Sequence, residues 1–406
     1  TMSVHWTKEK RLQPAIILKK IDSGKTISPT GKISFSGFDV FELIPALISM
    51  IDFPSKAEGI DKSTLLWKTI SSIPASLTPD NVIRKVEELY ALQEASRELP
   101  FHILTSISIE NSKFPKEINI EGARIRLLAA DFPKRFASRS VTIKKAPPTI
   151  DATPSNYTRL IVTVKAKSPQ AAVTKALRLL DLQRAIWCLN GNSGMEIWGK
   201  EWEPINKIRL GGVHSVHHEN GKAATETVWF DPNFSEAAPL TLNDTRTFRS
   251  NSIYAIRQLR KSKYSALLQS ALIRYVRAFD EKDLASALVK LWGAIESLAS
   301  PRDANYDLVT KRCSFLFKEH SYHRQILEHL REFRNHSVHE GDQGGAAKTN
   351  CFQLQFYFFH LIYFHLGNVK SFDSIDDANE FLDMPPDRVL LGKKKKLIEQ
   401  ALRFVR

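Results

Sequence analysis

Residues 284–299 read Leu-Ala-Ser-Ala-Leu-Val-Lys-Leu-Trp-Gly-Ala-Ile-Glu-Ser-Leu-Ala. Large aliphatic residues recur in this stretch at steps of four, three, four and three, at Leu284, Leu288, Leu291, Ile295 and Leu298. This spacing places the side chains on one face of an α-helix and is typical of a helix that packs inside a bundle. The stretch therefore predicts a helical C-terminal region.

The helical pattern extends on both sides of this stretch. From about Arg249 onward, strand-like alternation disappears and apolar residues recur at helical spacing. Together with residues 284–298, this gives five candidate helices, the others being Tyr254–Phe279, Leu308–Phe317, His323–Phe333 and Cys351–Leu366. We therefore predict an all-α bundle over residues 246–406.

A cluster of basic and polar residues ends one of these helices. Residues 331–341 read Arg-Glu-Phe-Arg-Asn-His-Ser-Val-His-Glu-Gly. Imidazole can transfer protons near neutral pH, and guanidinium can bind a phosphate through two hydrogen bonds. The combination suits cleavage of a phosphodiester without a metal, so the cluster is a candidate RNA-cleaving site.

The spacing between arginine and histidine is not specific by itself. Arginine is followed five positions later by histidine at Arg97/His102, Arg209/His214, Arg324/His329, Arg331/His336 and Arg334/His339. Only the last pair has Asn335 directly after the arginine, Val338 before the histidine and a helix-ending glycine at Gly341. Context therefore singles out Arg334 and His339.

In that context the sequence resembles a known family. Arg334-Asn335-His336-Ser337-Val338-His339, preceded by a helix with Trp292 and Glu296, resembles the HEPN superfamily, and most of all its Apea-like branch, which is associated with bacterial anti-phage systems. The Arg-Asn-x-x-x-His core and the upstream Trp-x-x-x-Glu helix agree with the family in order and separation. The likeness covers roughly residues 250–406 and nothing in the N-terminal 245 residues.

The resemblance implies a reaction and residue roles. The RNA 2′-hydroxyl would attack the adjacent phosphate and leave a 2′,3′-cyclic phosphate and a free 5′-hydroxyl, with no metal or other cofactor. His339 would be the general base or acid, Arg334 would stabilise charge on phosphorus, and Asn335 would orient one of them. Two bundles of this family usually form a shared cleft, so a homodimer is expected. The branch further implies a toxic effector in anti-phage defence.

Further residues are auxiliary candidates. Glu296 is expected to hold Arg334 or a histidine in place, although a solvated Glu296 is the alternative. His336 is a candidate proton donor, with a helix cap or a solvated side chain as the alternative. Lys393, Lys394, Lys395 and Lys396 precede a helical segment at Leu397–Val405 and could contact RNA or simply be solvated.

Helix geometry limits how Arg334 and His339 can face the same site. Five residues on an ideal helix separate position 334 from position 339 by about 140° around the axis. The helix is therefore expected to end or bend between Arg334 and His339. The alternative is that Arg and His merely complement the negative end of the helix dipole without catalysis.

Two other function classes stay open. One is a noncatalytic HEPN module that binds nucleotide or RNA, or that assembles with a partner protein. The other is a structural adaptor, in which the aromatic helix at Phe352–Tyr363 forms an oligomer interface. RNA binding without cleavage would favour the first, and loss of the fold on substitution of Arg334 would favour the second.

The charge of the chain favours some of these functions over others. The chain has 406 residues with 58 Lys and Arg against 44 Asp and Glu, a net charge of +14, which favours an anionic partner such as nucleic acid over a neutral metabolite. A generally basic, solvated surface is the alternative.

The isolated Cys188, Cys313 and Cys351 support neither a disulfide framework nor a zinc site. We expect a cytoplasmic protein without a membrane partner.

The N-terminal half has a different pattern. Thr78-Pro79 opens a predicted surface helix that runs to about Leu99, and β-rich runs follow at 101–109, 118–120, 123–128 and 141–145. Glu121-Gly122 is predicted to be a hairpin turn between two of these runs. A strand over 159–165, a helix from Pro169 and a hairpin around Asn220-Gly221 come next. Residues 1–245 are predicted to form an α+β sensing or regulatory domain, subdivided near 146–154. This domain would respond to a phage-derived trigger or a regulatory protein.

Overall fold

The computed structural model describes residues 4–36, 39–54, 60–144, 154–192, 204–231, 233–302, 305–339 and 346–405. Within these ranges, the side chains of Asp39, Asn111, Val338 and His339 are not described.

Helices and short strands make up most of the described chain. The strands are β1 (His5–Trp6), β2 (Lys25–Ile27), β3 (Ile33–Phe35), β4 (Ile51–Asp52), β5 (Leu99–Ile107), β6 (Glu117–Ile120), β7 (Ala123–Leu127), β8 (Thr158–Ala166), β9 (Val213–His218) and β10 (Trp229–Phe230). The helices are α1 (Pro14–Ser23), α2 (Asp39–Ser49), α3 (Lys62–Ser71), α4 (Pro79–Ala95), α5 (Ser138–Lys144), α6 (Pro169–Gly191), α7 (Thr245–Lys261), α8 (Ser265–Ala278), α9 (Leu284–Ala299), α10 (Tyr306–Phe315), α11 (His320–His339), α12 (Ala347–Gly367), α13 (Ile375–Leu382) and α14 (Arg388–Ala401).

The chain forms two compact units. The first comprises Thr1–Ile103, Thr163–Leu177 and Val216–Glu226, and the second comprises Leu104–Val162, Arg178–Ser215 and Thr227–Arg406. These units differ in their residues from the domains 1–245 and 246–406 that the sequence suggests. That division stays a prediction.

The first unit has a helical core of its own. Leu18, Ile21, Leu47 and Leu66, from α1, α2 and α3, are buried together. Helix α4 begins with a capping box, in which Thr78 and its partner Asn81 each accept a hydrogen bond from the other's backbone N–H. The helix predicted after Thr78 is confirmed, although it ends at Ala95 and not at about Leu99.

A six-stranded sheet lies in the N-terminal half of the chain, in the order β10-β9-β5-β8-β7-β6. Strands β6 and β7 are antiparallel and joined by Glu121 and Gly122, whose φ angles are +45° and +78°. Positive φ at both central residues is typical of the hairpin turn that the sequence predicted there. Strands β9 and β10 are also antiparallel, and Gly221, at φ +86°, lies in the predicted Asn220-Gly221 turn.

The predicted helix at 284–298 is confirmed as the centre of the C-terminal helices. Leu288, Leu291, Ile295 and Leu298 of α9 are completely buried, and α9 packs against α8, α10, α11 and α12. The Asp283 side chain starts the helix by accepting hydrogen bonds from the N–H groups of residues 285 and 286.

The single helix predicted over Tyr254–Phe279 is wrong, because α7 ends at Lys261 and α8 begins at Ser265. Ser262 has an extended backbone. Tyr264 is buried there, its hydroxyl 3.0 Å from Nδ1 of His365. This tertiary contact fixes the break, and the sequence has neither glycine nor proline to signal it.

The strand predicted over Val141–Lys145 is also wrong, since residues 138–144 form helix α5. Arg139 is buried on this helix and donates hydrogen bonds to the carbonyl of Leu104 and to Oγ of Ser215. Tertiary contacts of Arg139 therefore override the β-propensity of the segment. Residue 145 lies outside the described residues, as does most of the predicted linker at 146–154.

The predicted fold class is confirmed at a coarse level: the protein is mixed α and β, with a sheet in its N-terminal half and helices at its C-terminus. Among the described residues, no helix combines the length and the apolar character needed to cross a membrane.

Candidate active site

One face of α11 carries the candidate site. His323, Leu327, Leu330 and Arg334 follow one another at steps of four, three and four, so they share this face. Leu327 and Leu330 are completely buried, whereas Arg334 is only partly buried. Burial of the two leucines therefore orients Arg334 along the inner side of the helix near its end.

Arg334 is held against an aromatic ring. Its guanidinium carbon lies 4.8 Å from the ring centroid of Tyr306, the first residue of α10. It also donates a hydrogen bond to Oδ1 of Asn335 at 3.2 Å. Its Nε–H is buried and has no acceptor among the described residues. A cation–π contact of this kind contributes roughly 0.5–2 kcal/mol.

Trp292 of α9 also contacts Tyr306. Its ring meets that of Tyr306 edge to face, with centroids 6.2 Å apart. Its indole Nε1–H is also buried without an acceptor in the described part of the chain. Two buried donors, on Trp292 and Arg334, therefore belong to side chains that contact the same tyrosine.

Arg331, one turn earlier on α11, has a different environment. It donates to a carboxylate oxygen of Asp307 and to Oε2 of Glu328, the latter at 3.1 Å. Burial by itself would lower the pKa of Arg331, but the hydrogen bond and charge of Asp307 and the charge of Glu328 raise it above its ordinary value. Glu328 is itself fixed by the hydroxyl of Thr310 at 2.7 Å. The charge of Arg331 is thus compensated within the protein.

Arg334 has no such compensation in the part of the chain that the structure describes. Among the described residues, no carboxylate forms an ion pair or a hydrogen bond with its guanidinium. A partly buried guanidinium without a counter-ion favours an anionic ligand and offers two parallel donors to it. The end of α11 is therefore suited to bind a phosphate.

Three neighbouring residues of the predicted motif are described by the structure. Asn335 is partly buried and contacts Arg334, so the structure brings these two predicted site residues together. His336 is exposed. Ser337 donates a hydrogen bond from its Oγ to the carbonyl oxygen of Phe333 at 2.8 Å, within the helix.

Helix α11 continues through His339. The expectation that the helix ends between Arg334 and His339 is therefore wrong, and the alternative expectation of a bend between them stays a prediction. Ser337 does not end it, and its hydroxyl donates to the carbonyl oxygen of Phe333 one turn earlier, a bond that often bends a helix. The two positions are then separated by about 140° around an ideal helix axis. The side chain of His339 lies outside the described residues.

Glu296 is partly buried on α9. Among the described residues, it forms no ion pair with Arg334, and its predicted role in positioning the site stays a prediction.

The four lysines at 393–396 lie within α14 and not before a helix, so that part of the prediction is wrong. The helix begins earlier than expected because the side chain of Asp387 caps it by accepting a hydrogen bond from the N–H of Leu390. The lysine side chains are exposed, and Lys395 lies 3.8 Å from Glu399. Contact of these lysines with RNA stays a prediction.

Sequence reasoning missed Tyr306, Asp307 and Glu328. Asn305 caps α10 by accepting hydrogen bonds from two backbone N–H groups, and this Asn-Tyr-Asp start was the available signal for a helix beginning there. The pairing of α10 with Arg331 and Arg334 depends on tertiary packing.

In comparisons with family models, with curated proteins and with solved structures, nothing matched this chain.

Proposed function

We propose that the protein is a metal-independent endoribonuclease of HEPN type. The observation that carries the proposal is the state of Arg334, a partly buried arginine that contacts Tyr306 and Asn335 and has no carboxylate partner among the described residues. Arg331, on the same helix, is compensated by two carboxylates. Arg334 is thus the arginine of the cluster that is suited to bind the scissile phosphate.

In the proposed reaction, the 2′-oxygen of RNA attacks the adjacent phosphorus and the bond to the 5′-oxygen of the next nucleotide breaks. The products are a 2′,3′-cyclic phosphate and a free 5′-hydroxyl. His339 removes the proton from the 2′-hydroxyl or donates one to the leaving oxygen, Arg334 stabilises negative charge on the phosphoryl oxygens, and Asn335 fixes the orientation of Arg334. Glu296 and His336 are auxiliary candidates.

Two copies of the chain form the working enzyme in this proposal. Because α11 is helical through His339, positions 334 and 339 face different directions on one helix. A homodimer in which the two ends of α11 face each other supplies Arg334 from one copy and His339 from its partner. Closed two-fold symmetry is the commonest arrangement of soluble oligomers.

The biological role proposed is that of a toxic effector in anti-phage defence. It rests on the resemblance of the Arg334–His339 motif to the Apea-like branch. Residues 1–245 would then keep the nuclease inactive until a phage-derived or regulatory partner appears.

Cleavage of bacterial RNA in EDTA tests the proposed activity. Arg334→Ala should lower the rate by about 100-fold or more, the typical effect of removing a group that stabilises the transition-state charge. Arg324→Ala is the matched control, since Arg324 lies on the same helix with its side chain 48% exposed. An equal loss of cleavage rate in both variants, or an unchanged rate in Arg334→Ala, would contradict the assignment of Arg334 to the active site. RNA binding that depends on Arg334, without cleavage under any condition, would instead support the noncatalytic module.

A further inference from the structure

Helix α14 has an apolar face that is open to solvent. None of its residues, 388–401, is buried. Leu390, Leu391, Leu397 and Ile398 are 49%, 38%, 65% and 54% exposed. At about 100° per residue, these four side chains lie within an arc of about 120° on an ideal helix. The helix is therefore amphipathic, and its apolar side lies in water.

Basic residues border this apolar face. The helix contains five basic residues, Arg388 and the lysines at 393–396, and one acidic residue, Glu399. On an ideal helix, Lys393 and Lys395 each lie about 40° beyond one border of the apolar arc. All four lysines are exposed. An apolar face with lysines along its borders is typical of a helix that lies in the interface of a membrane with anionic lipids.

Lys394 lies in the middle of the apolar arc and helps to decide what covers it. Against the apolar groove of another protein, burial of this charge without a carboxylate would be costly. Packing of two copies of α14 face to face would bring the lysines of both copies together, and like charges disfavour such a contact. At a membrane surface, the long stem of a lysine lets its ammonium group reach the headgroups while apolar neighbours enter the lipid.

The apolar side chains also separate a lipid surface from RNA as the ligand. RNA phosphates would pair with the lysines but would leave Leu397 and Ile398 in water. The helix has 14 residues and is about 21 Å long, shorter than the hydrocarbon core of about 30 Å. It therefore has the dimensions of a helix that lies on a membrane and does not cross it.

We propose that α14 docks the protein on a membrane surface that carries anionic phospholipids. Leu390, Leu397 and Ile398 enter the boundary between headgroups and acyl chains, and the lysines pair with lipid phosphates. Membrane docking goes beyond the proposed RNA cleavage and does not depend on it. It departs from the sequence expectation of no membrane partner, because a helix that lies on the surface needs no long apolar stretch.

The test is equilibrium binding of the full-length protein to phospholipid vesicles, measured by flotation. One set of vesicles contains phosphatidylcholine alone, and the other contains phosphatidylglycerol as well. Leu397→Gln and Lys393→Gln are compared with two controls outside α14, Leu92→Gln on α4 and Lys19→Gln on α1, since Leu92 is 63% exposed and Lys19 is exposed. Thermal unfolding shows that each variant is folded, and sedimentation gives its oligomeric state.

The wild type should bind the vesicles that contain phosphatidylglycerol and bind phosphatidylcholine alone much more weakly. Lys393→Gln should weaken binding by roughly 5-fold, the contribution of one lysine near an anionic surface. Leu397→Gln should weaken it by at least about 10-fold, because a buried leucine is lost. Salt at about 1 M, where the screening length falls to about 3 Å, should also weaken binding. The two controls should bind as the wild type does.

Several results would overturn the proposal. The first is that the wild type binds neither set of vesicles, or binds both equally well. The second is that Leu397→Gln binds the anionic vesicles as tightly as the wild type. The third is that Leu397→Gln dissociates a dimer, which would assign the apolar face to a second copy of the chain. Failure of the nuclease proposal looks different: vesicle binding persists while RNA is never cut.

Discussion

The guanidinium carbon of Arg334 lies 4.8 Å from the centre of the Tyr306 ring, which links the last turns of α11 to the first residue of α10. Arg334 has no carboxylate to hold it among the described residues, so this ring and Asn335 define its position. Tyr306 is itself positioned by Asn305, which caps α10, and by the edge of Trp292. We infer that Tyr306 positions Arg334 and leaves its charge available for a ligand.

The first prediction concerns this ring. Tyr306→Leu removes the aromatic face and should lower kcat/KM for RNA by roughly 2- to 30-fold, the equivalent of a cation–π contact. Tyr306→Phe keeps the ring and should retain most of the activity. Steady-state cleavage of a defined RNA measures both. Equal activity of Tyr306→Leu and wild type would show that the ring does not position Arg334.

The second prediction concerns the shared cleft. If Arg334 of one copy works with His339 of its partner, a mixture of Arg334→Ala and His339→Ala chains contains dimers with one intact site. After co-refolding or co-expression, activity should return to about a quarter of the wild-type level, while either variant alone stays inactive. Sedimentation confirms that mixed dimers form. Mixed dimers without activity would mean that each chain uses its own arginine and histidine.

The third prediction concerns toxicity. Bacteria that express the wild-type chain together with its trigger should stop growing, because cellular RNA is cut. Arg334→Ala should relieve the arrest, and the matched variant Arg324→Ala should not. Colony counts after induction measure the effect. If cells that express Arg334→Ala at the same protein level still stop growing, toxicity does not depend on the candidate site.

A fourth prediction concerns stability. Arg184 is completely buried on α6 and donates to both carboxylate oxygens of Asp280, at 2.8 and 2.6 Å. Asp280→Asn leaves Asp181 as the carboxylate that pairs with Arg184 and should lower the free energy of unfolding by about 1.5–3 kcal/mol, the contribution of hydrogen bonds to a charged group. Asp373→Asn breaks the exposed pair with Lys263 and should cost less than about 1 kcal/mol. Urea unfolding measures both changes in the free energy of unfolding. Equal changes would contradict the expectation that the buried ion pair stabilises the fold more than the exposed one.

The fifth prediction concerns pH. Burial lowers the pKa of His365 to about 3 and that of His214 to about 4. Both histidines are therefore neutral in the folded protein, whereas in the unfolded chain they take up a proton near pH 6.5. Their contribution to stability is complete above pH 6.5. It declines as the pH falls towards 4 for His214 and towards 3 for His365, by up to about 1.4 kcal/mol per pH unit for each.

A variant isolates this effect from that of the carboxylates. The difference in unfolding free energy between wild type and His365→Gln should narrow from pH 7.5 to pH 5, because only the wild type loses stability through protonation at residue 365. A constant difference would mean that His365 is not held neutral by the fold.

The sequence predicted those elements whose pattern is local. The apolar face of Leu288, Leu291 and Ile295 is set by helical spacing, and the turn at Glu121-Gly122 is set by Gly122, which adopts positive φ without steric cost. Patterns of this kind depend on neighbouring residues only. They identified α9 and the β6–β7 hairpin before any tertiary contact was known.

Tertiary contacts decided what the sequence did not predict. The break at Ser262 depends on the contact of Tyr264 with His365, about a hundred residues away along the chain. Likewise, Arg334 and Asn335 were recognisable as a motif, but the ring beneath the guanidinium comes from Tyr306 on another helix. No local pattern around Tyr306 indicates that partner.

The central claim is that His339 and Arg334 cleave RNA without a metal, and mapping of product ends tests it most directly. Purified wild-type protein and a folded His339→Ala variant are incubated with bacterial RNA in EDTA, with and without extract from phage-infected cells as a source of trigger. The account predicts 2′,3′-cyclic phosphate and 5′-hydroxyl ends that are lost by at least about 100-fold in the variant. The same ends at the same rate with both proteins, or no cleavage by the wild type in either condition, would contradict it.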